Sequence, residues 1–349
     1  MVKNAENIIV GISIGDLNGI GSEVVLKTFE DSRMLEMCTP VIFANVKMLS
    51  FVKKTFQSTS VLHGIDRLDQ LVHGKINVLN IWKESVEVNL GQADDRAGEY
   101  AVKSFTAATK SLAEGGIDVL VTAPINKYNI QSAAFSFPGH TDYLQQELQG
   151  NALMLMVQNN LRVGLLTDHI PLSEVAGHLT EELIIKKIET VKQSLIQDFS
   201  INKPKIAVLG LNPHCGDGGV IGNEEDLVLK PVLKKIFEKG TLVFGPFAAD
   251  GFFGNNQYEK YDAIIATYHD QGLIPFKTLS FGQGVNYTAG LHKIRTSPDH
   301  GTAYDIAGKG IADYNSFKEA VYLAIDIFHS RNQYADISKR PLRVKEKQL

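Results

Sequence analysis

The sequence has few cysteines, no long apolar run and no strong excess of charge. Its two cysteines, Cys38 and Cys215, form no Cys-x-x-Cys pair, which argues against a disulfide framework or a cysteine-ligated zinc site. A net charge of −4 gives no reason to expect a nucleic acid or an anionic membrane as partner. No apolar run approaches the roughly 20 residues of a membrane span, and no signal peptide is recognisable. We therefore expect a cytoplasmic protein.

The order of the predicted elements indicates the fold class. Strand-like and helix-like segments alternate along the 349 residues, which predicts an α/β fold with a largely parallel sheet, and this length is typical of two lobes. The clearest predicted elements are strands at Ile8–Ile14, Val41–Ala44, Ile76–Leu79 and Ile117–Thr122 and helices at Gly98–Glu114, Thr180–Asp198 and Glu224–Lys239.

Three histidines follow three apolar runs at comparable positions. His169 follows the run that begins at Leu161, His214 follows the run from Lys205, and His269 follows the run from Tyr261. Each run is typical of a buried strand in a parallel sheet, and ligands of such sheets bind beyond the carboxyl ends of the strands. One histidine in such a place is more often an ordinary loop or core residue. Three of them predict a divalent metal site with an open coordination position.

The loop Gly15–Gly21 joins the first strand to a helix, so its backbone N–H groups are able to hold an anion. Its spacing is G-x-x-x-G-x-G, and the second strand ends at Ala44-Asn45 without an acidic residue. The ordinary dinucleotide-binding fingerprint is therefore absent. A tight turn without a ligand is the alternative interpretation.

Several polar residues in other loops suit a substrate with a phosphate and a carboxylate. Thr141 is a candidate helix cap beside His140, and Lys277 and Arg295 supply positive charge near the predicted metal site. A capped helix start and solvated surface charges are the plainer alternatives. The segment Asp299–Ala312 is rich in glycine, which favours close approach of its backbone to a ligand, and ends in a helix-like stretch.

Taken together, these segments resemble the PdxA family, the 4-hydroxythreonine-4-phosphate dehydrogenases of vitamin B6 biosynthesis. The resemblance extends from the Gly15 loop to about residue 330. The segments that carry it are His140-Thr141, Thr167-Asp-His-Ile-Pro-Leu172, Leu211-Asn-Pro-His214, Tyr268-His-Asp-Gln-Gly272 with Lys277, Gly284-Val-Asn286, Ile294-Arg-Thr296 and Asp299-His-Gly-Thr-Ala303.

Two loops are also similar to those of isocitrate and isopropylmalate dehydrogenases, in which such loops hold NAD(P). The resemblance implies a two-lobed fold of that type, with largely parallel sheets and a cleft between the lobes. One lobe is expected to comprise residues 1–125 and 286–349, and the other residues 126–285. The implied cofactor-binding residues are Gly15, Asp16, His300, Gly301, Thr302 and Ala303.

The resemblance implies metal binding by His169, His214 and His269, with one histidine contributed by the partner subunit of a homodimer. Zinc is the expected metal, and magnesium, manganese and cobalt are alternatives. The implied substrate-binding residues are His140, Thr141, Lys277, Asn286 and Arg295. Three residues remain candidates for the catalytic base: Lys277, Asp250 and Asp270.

The implied reaction is the NAD-dependent, metal-assisted oxidation of 4-phosphooxy-L-threonine, with decarboxylation, to 3-amino-2-oxopropyl phosphate. The first alternative is a catabolic dehydrogenase of D-threonate or D-erythronate 4-phosphate, which would use the same motifs. A more distant alternative is a metal-dependent hydrolase, in which the three histidines would activate water.

Overall fold

The computed structural model describes residues 8–131, 135–137 and 139–339, and their strands form a single twelve-stranded sheet. The strands are β1 Ile9–Ser13, β2 Thr39–Ala44, β3 Leu62–Ile65, β4 Ile76–Asn80, β5 Val119–Thr122, β6 Gly150–Gln158, β7 Leu161–Leu165, β8 Ile206–Leu209, β9 Val243–Phe247, β10 Ala263–Ala266, β11 Val285–Leu291 and β12 Ile294–Pro298.

Helices cover both faces of this sheet. They are α1 Gly21–Thr28, α2 Met34–Met37, α3 Val46–Thr55, α4 Asp95–Ala113, α5 His140–Leu148, α6 Val175–His178, α7 Glu181–Gln197, α8 Lys230–Glu238, α9 Ala249–Gly254, α10 His269–Ser280 and α11 Asn315–Ser338. Among the described residues, no helix is both long and apolar enough to cross a membrane.

The strand order is β3-β4-β2-β1-β5-β12-β11-β6-β7-β10-β8-β9. The first six strands of this order are parallel to one another, and so are the last four. At the centre, β11 is antiparallel to both β12 and β6, and β6 is antiparallel to β7. The prediction of an α/β fold with a largely parallel sheet is therefore confirmed, and the antiparallel pairs join its two parallel halves.

The central strands β6 and β11 bury both of their faces. Successive side chains of a strand point to opposite faces. Met154 and Met156 pack with α10 on one face, whereas Leu155 and Val157 belong to a core on the other. Asn286 is the register partner of Met156, so the polar Asn286 lies on the same face as the two methionines. This face carries the candidate site.

The three strands that precede the histidines are neighbours. β10 lies between β7 and β8 and is parallel to both. Their carboxyl ends therefore meet at one edge of the sheet, as the sequence predicts for the segments that carry His169, His214 and His269.

Two predicted helical segments differ from the structure. Residues Glu225–Leu229 form a π-helical turn before α8 rather than one continuous α-helix. Pro231 lacks an N–H and crowds the preceding turn, which accounts for the widened hydrogen bonding there. Residues 299–312 form turns, and the next helix begins only at Asn315; the glycines at 301, 308 and 310 disfavour a helix in this segment.

The lobe boundaries stay a prediction. A boundary between residues 285 and 286 falls at the start of β11, which pairs with β6 on one side and with β12 on the other. Residues 1–7 and 340–349 of the first predicted lobe lie outside the described residues.

Candidate active site

A cavity of about 610 Å³ opens above the central strands. All five predicted substrate residues line it, together with one predicted metal ligand and two residues of the predicted cofactor loop. In chain order these residues are His140, Thr141, His169, Lys277, Asn286, Arg295, His300 and Gly301. The structure thus places residues from three separate parts of the sequence around one space.

Arg295 carries a positive charge at the floor of this cavity. It is 2% exposed, and its guanidinium donates to the Thr122 and Thr288 hydroxyls and to Nδ1 of His140. No carboxylate pairs with it within the part of the chain that is described. Burial lowers the pKa of Arg295 to about 9, so the guanidinium keeps its charge at neutral pH. A buried cation without a carboxylate favours an anionic ligand.

His140 is held as a neutral imidazole. Burial first, and then the charges of Arg295 and Lys127, push the pKa of His140 well below its usual value. Its Nε2 atom is buried and has no hydrogen-bond partner among the described residues. A cavity residue with an unsatisfied polar atom is typical of a site that binds a polar ligand.

Helix α5 positions His140 and Thr141 in its first turn. Thr141 is not the helix cap that the sequence indicates, because the cap position is Gly139 and no side chain accepts a hydrogen bond there. The N-terminal N–H groups of α5 are therefore not satisfied by a side-chain cap, and this helix end suits an anion.

Asn286 and Lys277 line the same cavity from β11 and α10. The Oδ1 atom of Asn286 is buried, and no residue that the structure describes forms a hydrogen bond with it. Lys277 is exposed, and its ammonium donates to the carbonyl oxygen of Asp299 at 3.3 Å.

Sequence reasoning missed Lys127. It lines the cavity, and its charge contributes to the lowered pKa of both His140 and His169. Lys127 follows the end of β5 by five residues, so the strand-end argument that selected the histidines also applies to it. The cavity therefore contains three cationic side chains, those of Lys127, Lys277 and Arg295.

Two of the predicted metal ligands lie next to each other. The ring centroids of His169 and His269 are 5.9 Å apart, close to the roughly 5–6 Å expected when two imidazoles bind one ion at about 2.0–2.1 Å. Nδ1 of His269 contacts Oδ1 of Asp270 at 2.7 Å, which leaves Nε2 free to bind a metal. Partial burial and the charge of Lys127 lower the pKa of His169, which favours the neutral form that metals require.

His214 does not complete a cluster with these two residues. Among the described residues of this single chain, no group of three or more potential metal ligands is close enough to hold an ion. His214 is exposed and has a left-handed backbone, with φ 51° and ψ 26°. The fit of the metal therefore rests on the pair of His169 and His269.

The candidates for the catalytic base are separated by the structure. Lys277 lines the main cavity, whereas Asp250 is an exposed residue of α9 and does not line it. Asp270 lines a smaller neighbouring cavity with His169 and His269, and its carboxylate contacts the imidazole of His269.

The two predicted cofactor loops pack against each other. Ile20 N donates to the carbonyl oxygen of Thr302 at 3.0 Å. Asp16, however, is fully buried, and its carboxylate accepts hydrogen bonds from Asn129 Nδ2 at 2.7 Å and from the Tyr304 hydroxyl at 2.9 Å. The buried Asp16 carboxylate therefore stabilises the contact between the two loops.

The remaining predicted cofactor residues differ in their surroundings. Gly15 is left-handed, with φ +72°, and a Cβ there would lie 2.3 Å from the Pro124 carbonyl oxygen, so only glycine fits. His300 and Gly301 line the main cavity, and Nε2 of His300 is buried without a hydrogen-bond partner in the described part of the chain. Thr302 and Ala303 are partly buried beside them.

Comparison with known proteins gives consistent results. A model of the family described as Pyridoxal phosphate biosynthetic protein PdxA matches residues 36–324. A 4-hydroxythreonine-4-phosphate dehydrogenase of Bacteroides thetaiotaomicron is 47% identical, with coverage of 96% of this chain and 92% of the relative. A putative D-threonate 4-phosphate dehydrogenase of Oceanobacillus iheyensis is 34% identical, with coverage of 91% and 97%.

A solved structure has the same architecture. The crystal structure of 4-hydroxythreonine-4-phosphate dehydrogenase from Klebsiella pneumoniae superposes with a TM-score of 0.79 at 32% identity, covering 94% of this chain and 99% of that one. The family indicated by the sequence motifs and the oxidoreductase class are thereby confirmed. The chain belongs to the PdxA family of dehydrogenases.

Proposed function

We propose that this protein oxidises and decarboxylates 4-phosphooxy-L-threonine to 3-amino-2-oxopropyl phosphate, with NAD as oxidant and a divalent metal ion, in vitamin B6 biosynthesis. We further propose that it acts as a cytoplasmic homodimer. The observation that carries the proposal is the cavity around Arg295, which the four other predicted substrate residues line together with its buried guanidinium, and no carboxylate among the described residues pairs with that guanidinium.

The charges of the cavity support a phosphorylated substrate. Arg295 presents a rigid fork of donors, and Lys127 and Lys277 add mobile ammonium groups. Asp168 and Asp299 also line the cavity and suit the amino group of an amino acid. This mixture fits a small molecule with a phosphate, a carboxylate and an ammonium group.

The histidines support a bound metal. His169 and His269 supply two imidazoles at a suitable separation. We propose His214 as the third ligand, with one of the three histidines of each site contributed by the partner subunit. Zinc suits such nitrogen ligands, and magnesium, manganese or cobalt are the alternatives. A divalent ion, when bound, would lower the pKa of the substrate hydroxyl and stabilise charge that develops during decarboxylation.

The position of the predicted cofactor loop that contains His300 and Gly301 supports a cofactor adjacent to the substrate. His300 and Gly301 line the cavity that Arg295 and Lys277 also line, and the orphaned Nε2 of His300 offers a polar contact. NAD, when bound, would accept the hydride, while the chain aligns substrate and cofactor. We propose that Lys277 removes the hydroxyl proton as a neutral amine, after its ammonium group has released a proton to solvent, because Asp250 and Asp270 do not line this cavity.

One relative favours a second candidate. The Oceanobacillus relative is named as a putative D-threonate 4-phosphate dehydrogenase, so oxidation of D-threonate or D-erythronate 4-phosphate is the alternative reaction. Both reactions use a phosphate, a hydroxyl and a carboxylate. Membership in a dehydrogenase family leaves the hydrolase alternative without support.

The test is NADH formation at 340 nm with purified protein, NAD and 4-phosphooxy-L-threonine. The same assay is run after chelation, after restoration of zinc, and with D-threonate 4-phosphate as substrate. Metal-dependent turnover of the amino-acid phosphate and not of the sugar-acid phosphate supports the proposal. Turnover of D-threonate 4-phosphate alone would replace it with the catabolic reaction, and a pyridoxine requirement after gene deletion would distinguish the two in the cell.

A further inference from the structure

Glu225 is a carboxylate buried next to the turn that carries His214. It is 0% exposed, and no lysine, arginine or histidine forms an ion pair with it within the described residues. A buried carboxylate is costly unless hydrogen bonds compensate for its lost hydration. The partners of Glu225 therefore show what it does.

Both oxygens of Glu225 contact the same residue. Asn212 donates its backbone N–H to Oε1 at 2.7 Å and its side-chain Nδ2 to Oε2 at 3.0 Å. The Nδ2 atom also donates to Oε2 of Glu224 at 2.7 Å. These three hydrogen bonds fix Asn212, which lies two residues before His214.

The turn itself has an unusual backbone. Residues 214 to 218 are all left-handed, and three of them, His214, Cys215 and Asp217, are not glycine. L-residues adopt this conformation at a cost in conformational free energy, so the surrounding structure must hold it. The backbone of Gly216 packs against Glu225, because a Cβ added to Gly216 would lie 3.0 Å from its Oε2.

We propose that Glu225 is a positioning residue that holds the left-handed turn and thereby presents the His214 imidazole in one orientation before a metal arrives. The inference rests on the proposed role of His214 as a metal ligand. Glu225 begins the π-helical turn Glu225–Leu229, a feature that is frequent at functional sites.

Two acceptors are required at this position. In Glu225→Gln, the amide oxygen replaces only one acceptor, so the new NH2 group faces either the N–H or the NH2 of Asn212. Rotation of the Asn212 amide does not relieve this, because its oxygen would then face the carboxylate of Glu224. Glu224→Gln is the matched control, since a partly exposed glutamine is free to turn its oxygen toward Asn212.

The experiment measures binding of Co²⁺ and of Zn²⁺ to the metal-free protein by titration calorimetry. We expect Glu225→Gln to weaken the affinity by about 10- to 100-fold, the range for outer-shell partners of metal ligands, and Glu224→Gln to change it only a few-fold. Hydrogen exchange of the metal-free protein should accelerate at residues 212–221 in Glu225→Gln and not in Glu224→Gln. Parental affinity together with unchanged exchange in Glu225→Gln would overturn the inference.

A variant with donors and acceptors interchanged distinguishes loss of these hydrogen bonds from a general failure to fold. In the triple variant Asn212→Asp with Glu224→Gln and Glu225→Gln, the oxygen of the glutamine at 225 accepts from the backbone N–H, and the NH2 groups of both glutamines donate to the new carboxylate. We expect this triple variant to recover metal affinity and slow exchange relative to Glu225→Gln, and no recovery would count against the positioning role. If the parent protein binds neither ion, the proposed metal site fails, while the exchange rates still report whether Glu225 holds the turn.

Discussion

Nη2 of Arg295 lies 2.9 Å from Nδ1 of His140. A guanidinium has only donors, so Nδ1 of His140 must be the acceptor and the ring proton must lie on Nε2. This Nε2–H group is buried and finds no acceptor within residues 8–131, 135–137 and 139–339. Arg295 therefore fixes the tautomer of His140, which carries its proton on Nε2 beside the buried positive charge of Arg295.

Replacement of Arg295 should weaken binding of the phosphorylated substrate. We expect Arg295→Met, which keeps most of the volume, to raise KM by about 10- to 100-fold, because a charge-assisted hydrogen bond contributes about 1.5–3 kcal/mol. Steady-state kinetics measures this change. Lys293→Met, two residues away at the turn between β11 and β12, is the control. An unchanged KM in Arg295→Met would remove this residue from phosphate recognition.

The lowered pKa of His140 predicts how stability depends on pH. Between its depressed folded pKa and the usual value of 6.5, the unfolded state binds more protons than the folded state, so stability falls as the pH falls below 6.5. His140→Asn keeps an acceptor for Arg295 but does not titrate. Its free energy of unfolding should therefore fall less between pH 7 and pH 5, by at most about 1.4 kcal/mol for each pH unit.

Urea unfolding at several pH values checks this prediction. The difference between parent and variant isolates His140 from other titrating groups, including His169, whose pKa is also lowered. Parallel pH profiles for the two proteins would show that His140 titrates in the folded protein much as it does in the unfolded chain.

The three candidates for the catalytic base make separate predictions. Lys277 lines the cavity, whereas Asp250 and Asp270 do not. We expect Lys277→Met to reduce kcat by about 10²- to 10⁴-fold, the usual range for a general base. Asp250→Asn should leave kcat close to that of the parent. Asp270→Asn should act through metal affinity instead, so excess zinc should restore its activity; a loss of kcat that zinc does not restore would make Asp270 the better candidate.

Much of the fold was predictable because the buried strands are nearly continuous apolar runs. β2 is buried at every residue, and the strands before the three histidines all form at the expected places. The antiparallel centre was harder to foresee, since β6 and β11 are also apolar and periodicity does not report strand direction. The π-helical turn before α8 is accounted for by Pro231, whose effect is not visible in helical periodicity.

The candidate site was predictable where side chains follow strand ends or family motifs. His140, Thr141, Lys277, Asn286 and Arg295 line one cavity as the resemblance implies. The interior role of Asp16 was not foreseeable, because the sequence does not reveal that Asn129 and Tyr304 fold back onto its carboxylate. Such contacts join residues more than a hundred positions apart and depend on the complete fold.

The contact of Tyr304 with Asp16 joins the two loops proposed to hold NAD. The Tyr304 hydroxyl donates to Asp16 and also accepts from Asn126 at 3.1 Å, and burial first of all raises its pKa to about 12, so it stays protonated. Tyr304→Phe removes both hydrogen bonds. If the ordered arrangement of the two loops loses about 1 kcal/mol of free energy, the affinity for NAD should be roughly fivefold weaker.

Fluorescence titration with NADH measures this affinity, and Tyr314→Phe is a matched control outside the contact. Affinity for zinc should be unchanged in Tyr304→Phe, because Tyr304 does not line the cavity with His169 and His269. A parallel loss of zinc and NADH affinity would indicate general loosening of the fold. Unchanged NADH affinity would instead show that the hydrogen bond between Tyr304 and Asp16 does not contribute to cofactor binding. His300 and Gly301 would then be the better candidates for NAD recognition.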